Sequence, residues 1–229
     1  MSFNASAPAT GYPRSPRMLR AGLVRLDATA RQVLDVVVFQ YNPDSLTRTL
    51  QPRSMAAEPG DRLEVMRLTG PPHETIKFEA EIDAADQLEH PDAAGNIPFA
   101  DEGLLPTLAV LERLITPTVA ELQAVDALYD QGMFEVAPAE APLSVLVWGA
   151  ERVVPVLVTS LSLTEEAFDP RLQPVRVKAS FECRVLTSSD LPLQHLGGSL
   201  YISHRQKVEQ LGARVTGADV RPLGLEHLP

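Results

Sequence analysis

The stretch Pro174 to Leu186, P-V-R-V-K-A-S-F-E-C-R-V-L, alternates apolar and polar side chains without a slip. On a period-two pleat, Val175, Val177, Ala179, Phe181, Cys183 and Val185 share one face, and Arg176, Lys178, Ser180, Glu182 and Arg184 share the other. This is the signature of a two-faced β-strand, one side against a core and the other against water or a partner. Pro174 cannot donate a ladder hydrogen bond, so it fits the first position of the strand and marks its start.

The rest of the chain can supply that core. An apolar fraction of 45% over 229 residues supports one large packed domain or two small ones. The formal net charge of -10 argues against a general affinity for nucleic acid or anionic membrane, which requires clustered Lys and Arg. The first 60 residues hold seven Arg and four acids, which leaves 13 basic and 26 acidic side chains for the remainder, an acidic body behind a mildly basic start. The single cysteine, Cys183, cannot make an internal disulfide, and on the apolar face it reads as a small hydrophobe. No run approaches the roughly 18 apolar residues of a membrane span. The first residues lack the apolar segment of a secretory signal, so a cytoplasmic location is expected.

Residues 1–17, rich in Ala, Ser and Pro, read as a flexible arm. A-G-L-V-R-L-D and L-D-V-V-V-F-Q-Y read as two strands able to form a hairpin, the second ending at Asn42-Pro43, with Leu46 returning toward the core. Thr47 to Gly60 reads as a long loop or the tip of an extended hairpin. R-L-E-V-M-R-L-T and T-I-K-F-E-A-E-I-D read as two further strands around a tight corner at Gly70-Pro71-Pro72, followed by an acidic loop from Asp86 to Gly103. Leu104, Leu105, Leu108, Leu111, Leu114 and Ile115 are spaced for one face of a helix, with Pro106 in its first turn and a stop or kink at Thr116-Pro117. V-A-E-L-Q-A-V-D-A-L extends it as a second short helix. A-P-L-S-V-L-V-W-G, V-V-P-V-L-V-T-S-L-S-L-T-E-E-A-F and the alternating strand then form an antiparallel meander. A short helix is expected around Tyr201 to Leu211. The chain reads as mainly β in the α+β class, antiparallel with one amphipathic helix, divided into the arm (1–17), a β domain (18–190) and a C-terminal helical extension (191–229).

Catalytic and metal chemistry have little to stand on. His73, His90, His195, His204 and His227 lie far apart with no second ligand at metal spacing, and the acids Asp83, Asp86, Glu89, Asp92 and Asp101, with Asn96, miss the calcium-loop pattern. There is no nucleophile elbow, phosphate-cradling loop or dinucleotide fingerprint. No enzyme, cofactor or metal is expected. Trp148, closing an apolar strand before Gly149, reads as a core or subunit-contact residue.

Three pieces in order, F-Q-Y-N-P-D-S-L at Phe39 to Leu46, G-P-P-H-E-T-I-K-F-E-A-E-I-D at Gly70 to Asp83, and A-P-L-S-V-L-V-W-G through P-V-R-V-K-A-S-F-E-C-R-V-L, resemble the tube and baseplate-hub (tube-initiator) proteins of phage-tail-like contractile injection systems. The resemblance spans about Leu34 to Leu186 and rests on the order and spacing of the pieces. Val177 stands where the family pattern has alanine, and Leu146 where an aromatic is common. Residues Ser203 to Pro229 show no peptidoglycan-binding LysM signature of the kind many hub members carry.

The resemblance implies a tail-tube-like β-sandwich or barrel whose sheets join side by side into a homohexameric ring. It implies inner-tube, spike and other baseplate subunits as partners, with neither nucleic acid binding nor membrane insertion. Assembly would be cytoplasmic, in a contractile particle either released or membrane-attached. The polar face of the alternating strand, with Arg176, Lys178 and Arg184, would face the ring interior or the next protomer. The segment Thr47 to Gly60, with Arg48 and Arg53 as charged anchors, would make stacking contacts between rings or else be merely solvated. The alternative is a ligand- or cell-wall-binding accessory protein or effector using the same fold.

Overall fold

The computed structural model describes residues 19–27, 32–54, 67–89, 101–130 and 142–215. The strands are β1 (Gly22–Leu26), β2 (Val33–Val38), β3 (Leu46–Ser54), β4 (Leu68–Asp83), β5 (Leu143–Val147), β6 (Val153–Phe168) and β7 (Pro174–Val185). The helices among the described residues are α1 (Ala85–Glu89), α2 (Leu105–Glu112), α3 (Val119–Asp130) and α4 (Leu196–Ala213). The expected N-terminal arm lies outside the described residues, as do 55–60 of the Thr47–Gly60 segment, 62–66 of the strand before Gly70, 90–100 of the acidic loop and 216–229 of the C-terminal extension.

The strands form one antiparallel sheet in the order β2-β1-β5-β6-β7-β4-β3. The chain is therefore mainly β and of the α+β class. The sheet is open at β2 and β3, so the expected closed barrel is not formed. The amphipathic helix, the short helix after it and the C-terminal helix are all present, and α1, within the expected acidic loop, is the added one among the described residues.

β7 begins at Pro174, and Val177, Ala179, Phe181, Cys183 and Val185 are buried as the alternation requires. Its flanking strands complete the core face through directly opposed pairs: Phe181 lies between Phe78 on β4 and Leu161 on β6, and Cys183 between Ile76 and Val158. Phe78 and Phe181 stack at 4.9 Å between ring centroids. Phe39, just past β2 at the opposite end of the sheet order, sits 5.4 Å from Phe78 and 5.9 Å from Phe181. The sheet is thus curled until its first strand meets its sixth and fifth, and Trp148 after β5 adds an edge-on contact to Phe78 at 5.7 Å.

α2 closes the curl. Leu104, Leu108 and Leu111 are buried in the same core, and the amide of Leu104 donates to the carbonyl of Pro174 at 2.8 Å. Gly103 has φ +58, and a side chain there would begin 2.6 Å from that carbonyl, so only glycine permits the approach. α2 stops before the Thr116-Pro117 pair. Thr118 then starts α3 with a reciprocal cap, its amide donating to Glu121 at 2.7 Å while its hydroxyl accepts from the Glu121 amide at 3.2 Å.

Three local readings are corrected. β4 runs unbroken through Gly70-Pro71-Pro72, where a corner between two strands is expected. Its pairing with β7 ends at Thr75, and its register with β3 slips between Gln51 and Arg53, so the prolines fall where the ladder is already interrupted. β2 ends at Val38, short of Asn42-Pro43. There Phe39 turns inward, while the Asn42 side chain donates to the Leu19 carbonyl at 2.8 Å and accepts from the Ala21 amide at 2.9 Å. The C-terminal helix is an 18-residue element beginning at Leu196, where a short one near Tyr201 is expected. Gly197 and Gly198 lie inside it, because a side chain at Gly198 would strike the carbonyl of Pro192.

Between β1 and β2 the sheet buries an ion pair. Arg25, 4% exposed, donates from Nε to Asp35 at 2.7 Å and from Nη1 to the Arg113 carbonyl at 3.0 Å, tying both strands to the end of α2. Removing the carboxylate leaves the buried Arg25 unmatched, whereas Asp35 also accepts from Arg113 at 3.3 Å. Asp35→Asn is therefore expected to cost about 3 to 5 kcal/mol in chemical denaturation, and Arg25→Met less. Phe181→Ala is expected to cost about 3 to 5 kcal/mol in the same measurement, whereas Arg176→Ala on the opposite face should leave the midpoint nearly unchanged.

Candidate interaction surface

The face of β7 turned from the core is a lattice of matched charges. Arg176 donates to Asp83 at 2.8 Å, Lys178 pairs with Glu166 at 2.7 Å, Lys77 pairs with Glu182 at 2.9 Å, and Ser180 donates to Glu79 at 3.0 Å. Each bond joins β7 to β4 or β6 across the sheet. The hydrogen bond to Asp83, with its charge, holds the Arg176 guanidinium above its ordinary pKa, and Glu166 does the same for the Lys178 ammonium. Arg184 donates to Asp190 at 2.9 Å. Burial raises the Asp190 carboxyl, but hydrogen bonds from the amide and hydroxyl of Thr187 and from Arg184 outweigh it, and its pKa falls below the ordinary value. Between the charges, Ser160, Ser162, Ser180 and Thr47 line a shallow concavity of about 340 Å³.

Arg176, Lys178 and Arg184 thus share one surface. Arg48 and Arg53 lie elsewhere, on β3. Arg48 is opposite Ile76 on the core-facing side of the sheet and pairs with buried Glu74 at 2.6 Å. The Arg53 guanidinium lies over Gly70, 3.7 Å from where a side chain would begin. Both arginines occupy a hairpin arm; the structure does not bring them together with the β7 cations.

The sheet also presents unpaired backbone. β3 and β2 are terminal strands, and among the described residues the far half of β6, Leu157–Phe168, pairs with β7 alone. β2 exposes Leu34, Val36 and Val38, with Val36 57% exposed. An apolar strand with an open edge invites pairing with another chain. The β6–β7 turn adds a strained apolar tip: Leu172 has φ 64 and is 80% exposed, held by amides of Arg171 and Gln173 on Asp169 at 2.7 Å and 2.9 Å. The Leu172 amide helps close the turn, donating to the Asp169 carbonyl at 3.0 Å, but its exposed side chain adds no buried area to the subunit.

Where α4 packs on the sheet, Tyr201 and His204, one turn apart, are buried next to Glu74. Sequence reading missed this cluster and the Arg25–Asp35 pair. The available signal was a charged residue interrupting each of two apolar strands, G-L-V-R-L and V-L-D-V-V-V.

Cys183 contributes no reactive thiol to these surfaces. Burial, with a smaller push from Glu182, raises the Cys183 thiol to about 12, far from a nucleophilic thiolate. Among the described residues no three His, Cys, Asp or Glu side chains are grouped to hold a metal, and no helix is long and apolar enough to cross a membrane. The arrangement can bind, stack and pair. Leu172→Gly is expected to stabilise the isolated chain by about 1 kcal/mol, read as a higher denaturation midpoint, because it relieves the left-handed strain without losing a contact.

Compared with protein-family models and with curated protein sequences, the chain matches none.

Proposed function

We propose that the chain is a non-enzymatic structural subunit of a phage-tail-like contractile injection system, a baseplate-hub or tube-initiating protein that links the spike to the inner tube and templates tube assembly. The observation that supports this reading is the four-strand unit β3-β4-β7-β6, which joins two chemically different open edges to an outer face whose charges are matched within the subunit. Different edges make a head-to-tail contact, β3 of one copy against the far half of β6 of the next. Such contacts close into a ring when the rotation allows. On this reading the fold is tail-tube-like, the ring is six-fold, and β2 and the Leu172 tip meet the spike, the tube or other baseplate subunits. Assembly takes place in the cytoplasm, and the finished particle is released or membrane-attached.

A ligand- or wall-binding accessory role is the second reading, favoured by the hydroxyl-lined concavity on the same face. The two differ in whether particles need the protein. Electron microscopy of the native host with and without the gene should show sheathed tubes lost on deletion and restored by a plasmid copy; intact particles without the gene would sink the assembly reading. Within it, Arg53→Glu is the clean probe of the hairpin, expected to leave the monomer folded and reduce assembly. Arg48→Glu would set a second carboxylate against buried Glu74 and unsettle the fold itself.

A further inference from the structure

We propose that the docking of α4 on the sheet is a pH-gated latch with His204 as its sensor, closed at neutral pH and loosened by acid. His204 is 6% exposed, and its Nδ1 has no hydrogen-bond partner among the described groups. The charges that face it come from several elements, and Glu151 of the β5–β6 turn and Lys207 of α4, paired at 3.7 Å, line the same concavity. Glu74 lies on β4 and is already engaged by Arg48 of β3 at 2.6 Å; Arg152 comes from the turn between β5 and β6, and Arg205 from α4 itself. Tyr201, one turn earlier, is neutral and buried. An imidazolium at this position would be desolvated, with Glu74 committed to Arg48, Glu151 paired with Lys207, and three guanidinium groups opposing it. Burial, followed by those arginines, holds the imidazole pKa below its ordinary value despite Glu74.

Free of the sheet, His204 takes up a proton near pH 6.5, the value of an unperturbed imidazole. Docked, it resists the proton to lower pH. Above about pH 6.5 the two forms bind the same number of protons and α4 stays down. Below it, the undocked form gains by about tenfold per pH unit until the pH passes the docked pKa. Undocking withdraws Leu200 from the Leu26, Leu143 and Val145 cluster and Tyr201 from the edge of the main core, baring apolar surface at both. The latch does not depend on the assembly reading.

Hydrogen exchange of the full chain tests it, between about pH 7.5 and about pH 5, with rates corrected for intrinsic pH dependence. Protection of Tyr201 to Lys207 is expected to fall by up to tenfold per pH unit below about pH 6.5 while protection of β7 holds, and the fall should vanish in His204→Leu. Equal slopes in the parent and the variant would overturn the latch, as would simultaneous loss in α4 and β7. Should the variant fail to fold, NMR titration of the imidazole in the unaltered chain decides: a ring titrating below the ordinary value in step with α4 opening supports the latch, and one titrating at or above it refutes it.

Discussion

The contact of Phe39 with the stacked Phe78 and Phe181 holds the rest of the structure in place. Antiparallel pairing alone would leave seven strands as an open, twisted ribbon, with β2 and β4 far apart in the strand order. The three rings bring them face to face, and only then do Leu23, Leu146, Val154 and the α2 leucines acquire a common interior. Aromatic rings suit this task because each removes a large area from water and their tilted packing tolerates the angle between the two curled halves. The Arg25–Asp35 pair fixes the same relationship near α2 by a different force, one that is costly to break and weak as a source of net stability.

Period two was enough to read β7, and its two faces follow residue by residue. The β5-β6-β7 meander and the β1–β2 hairpin were legible for the same reason, as was the proline-started α2. Legibility failed where the deciding partner lay far away in sequence. Pro71 and Pro72 look like a corner until β7 is known to stop pairing at Thr75, leaving that part of β4 beside β3 alone, where the register slips. Gly197 and Gly198 look like helix breakers until Pro192 is found pressed against the helix. Arg48 looks like a loop arginine until Glu74 is placed beside it. Of the surface residues, those on β7 could be located from the pattern, because a strand fixes its own faces; those on β3 could not, because a hairpin's face depends on register with its partner.

The matched charges on the β4-β7-β6 face deserve a physical distinction. Exposed ion pairs of this kind add little to stability, since solvent screens them and ordering long side chains costs entropy. What they change is the surface's appetite for others. Each cation already has its carboxylate and hydroxyls lie between them, so the face offers an anionic partner little free positive charge. Its exposed apolar side chain opposite Arg184 is Leu157, whereas β2 and the Leu172 tip lie on other parts of the subunit.

The strand order also dictates when the chain can fold. The two N-terminal hairpins, β1–β2 and β3–β4, do not touch in the sheet; they flank the β5-β6-β7 meander, which is synthesised after them. β4 must wait for β7, its partner about a hundred residues later, before Phe78 meets Phe181. Contacts this distant in sequence close slowly, because the loop entropy must be met before any contact rewards it. A ribosome that has finished β4 therefore carries two hairpins that can meet through Phe39 and Phe78 but lack the β5-β6-β7 and α2 side chains that complete their core, and the nascent chain stays exposed to misassociation until the last strand of the meander emerges.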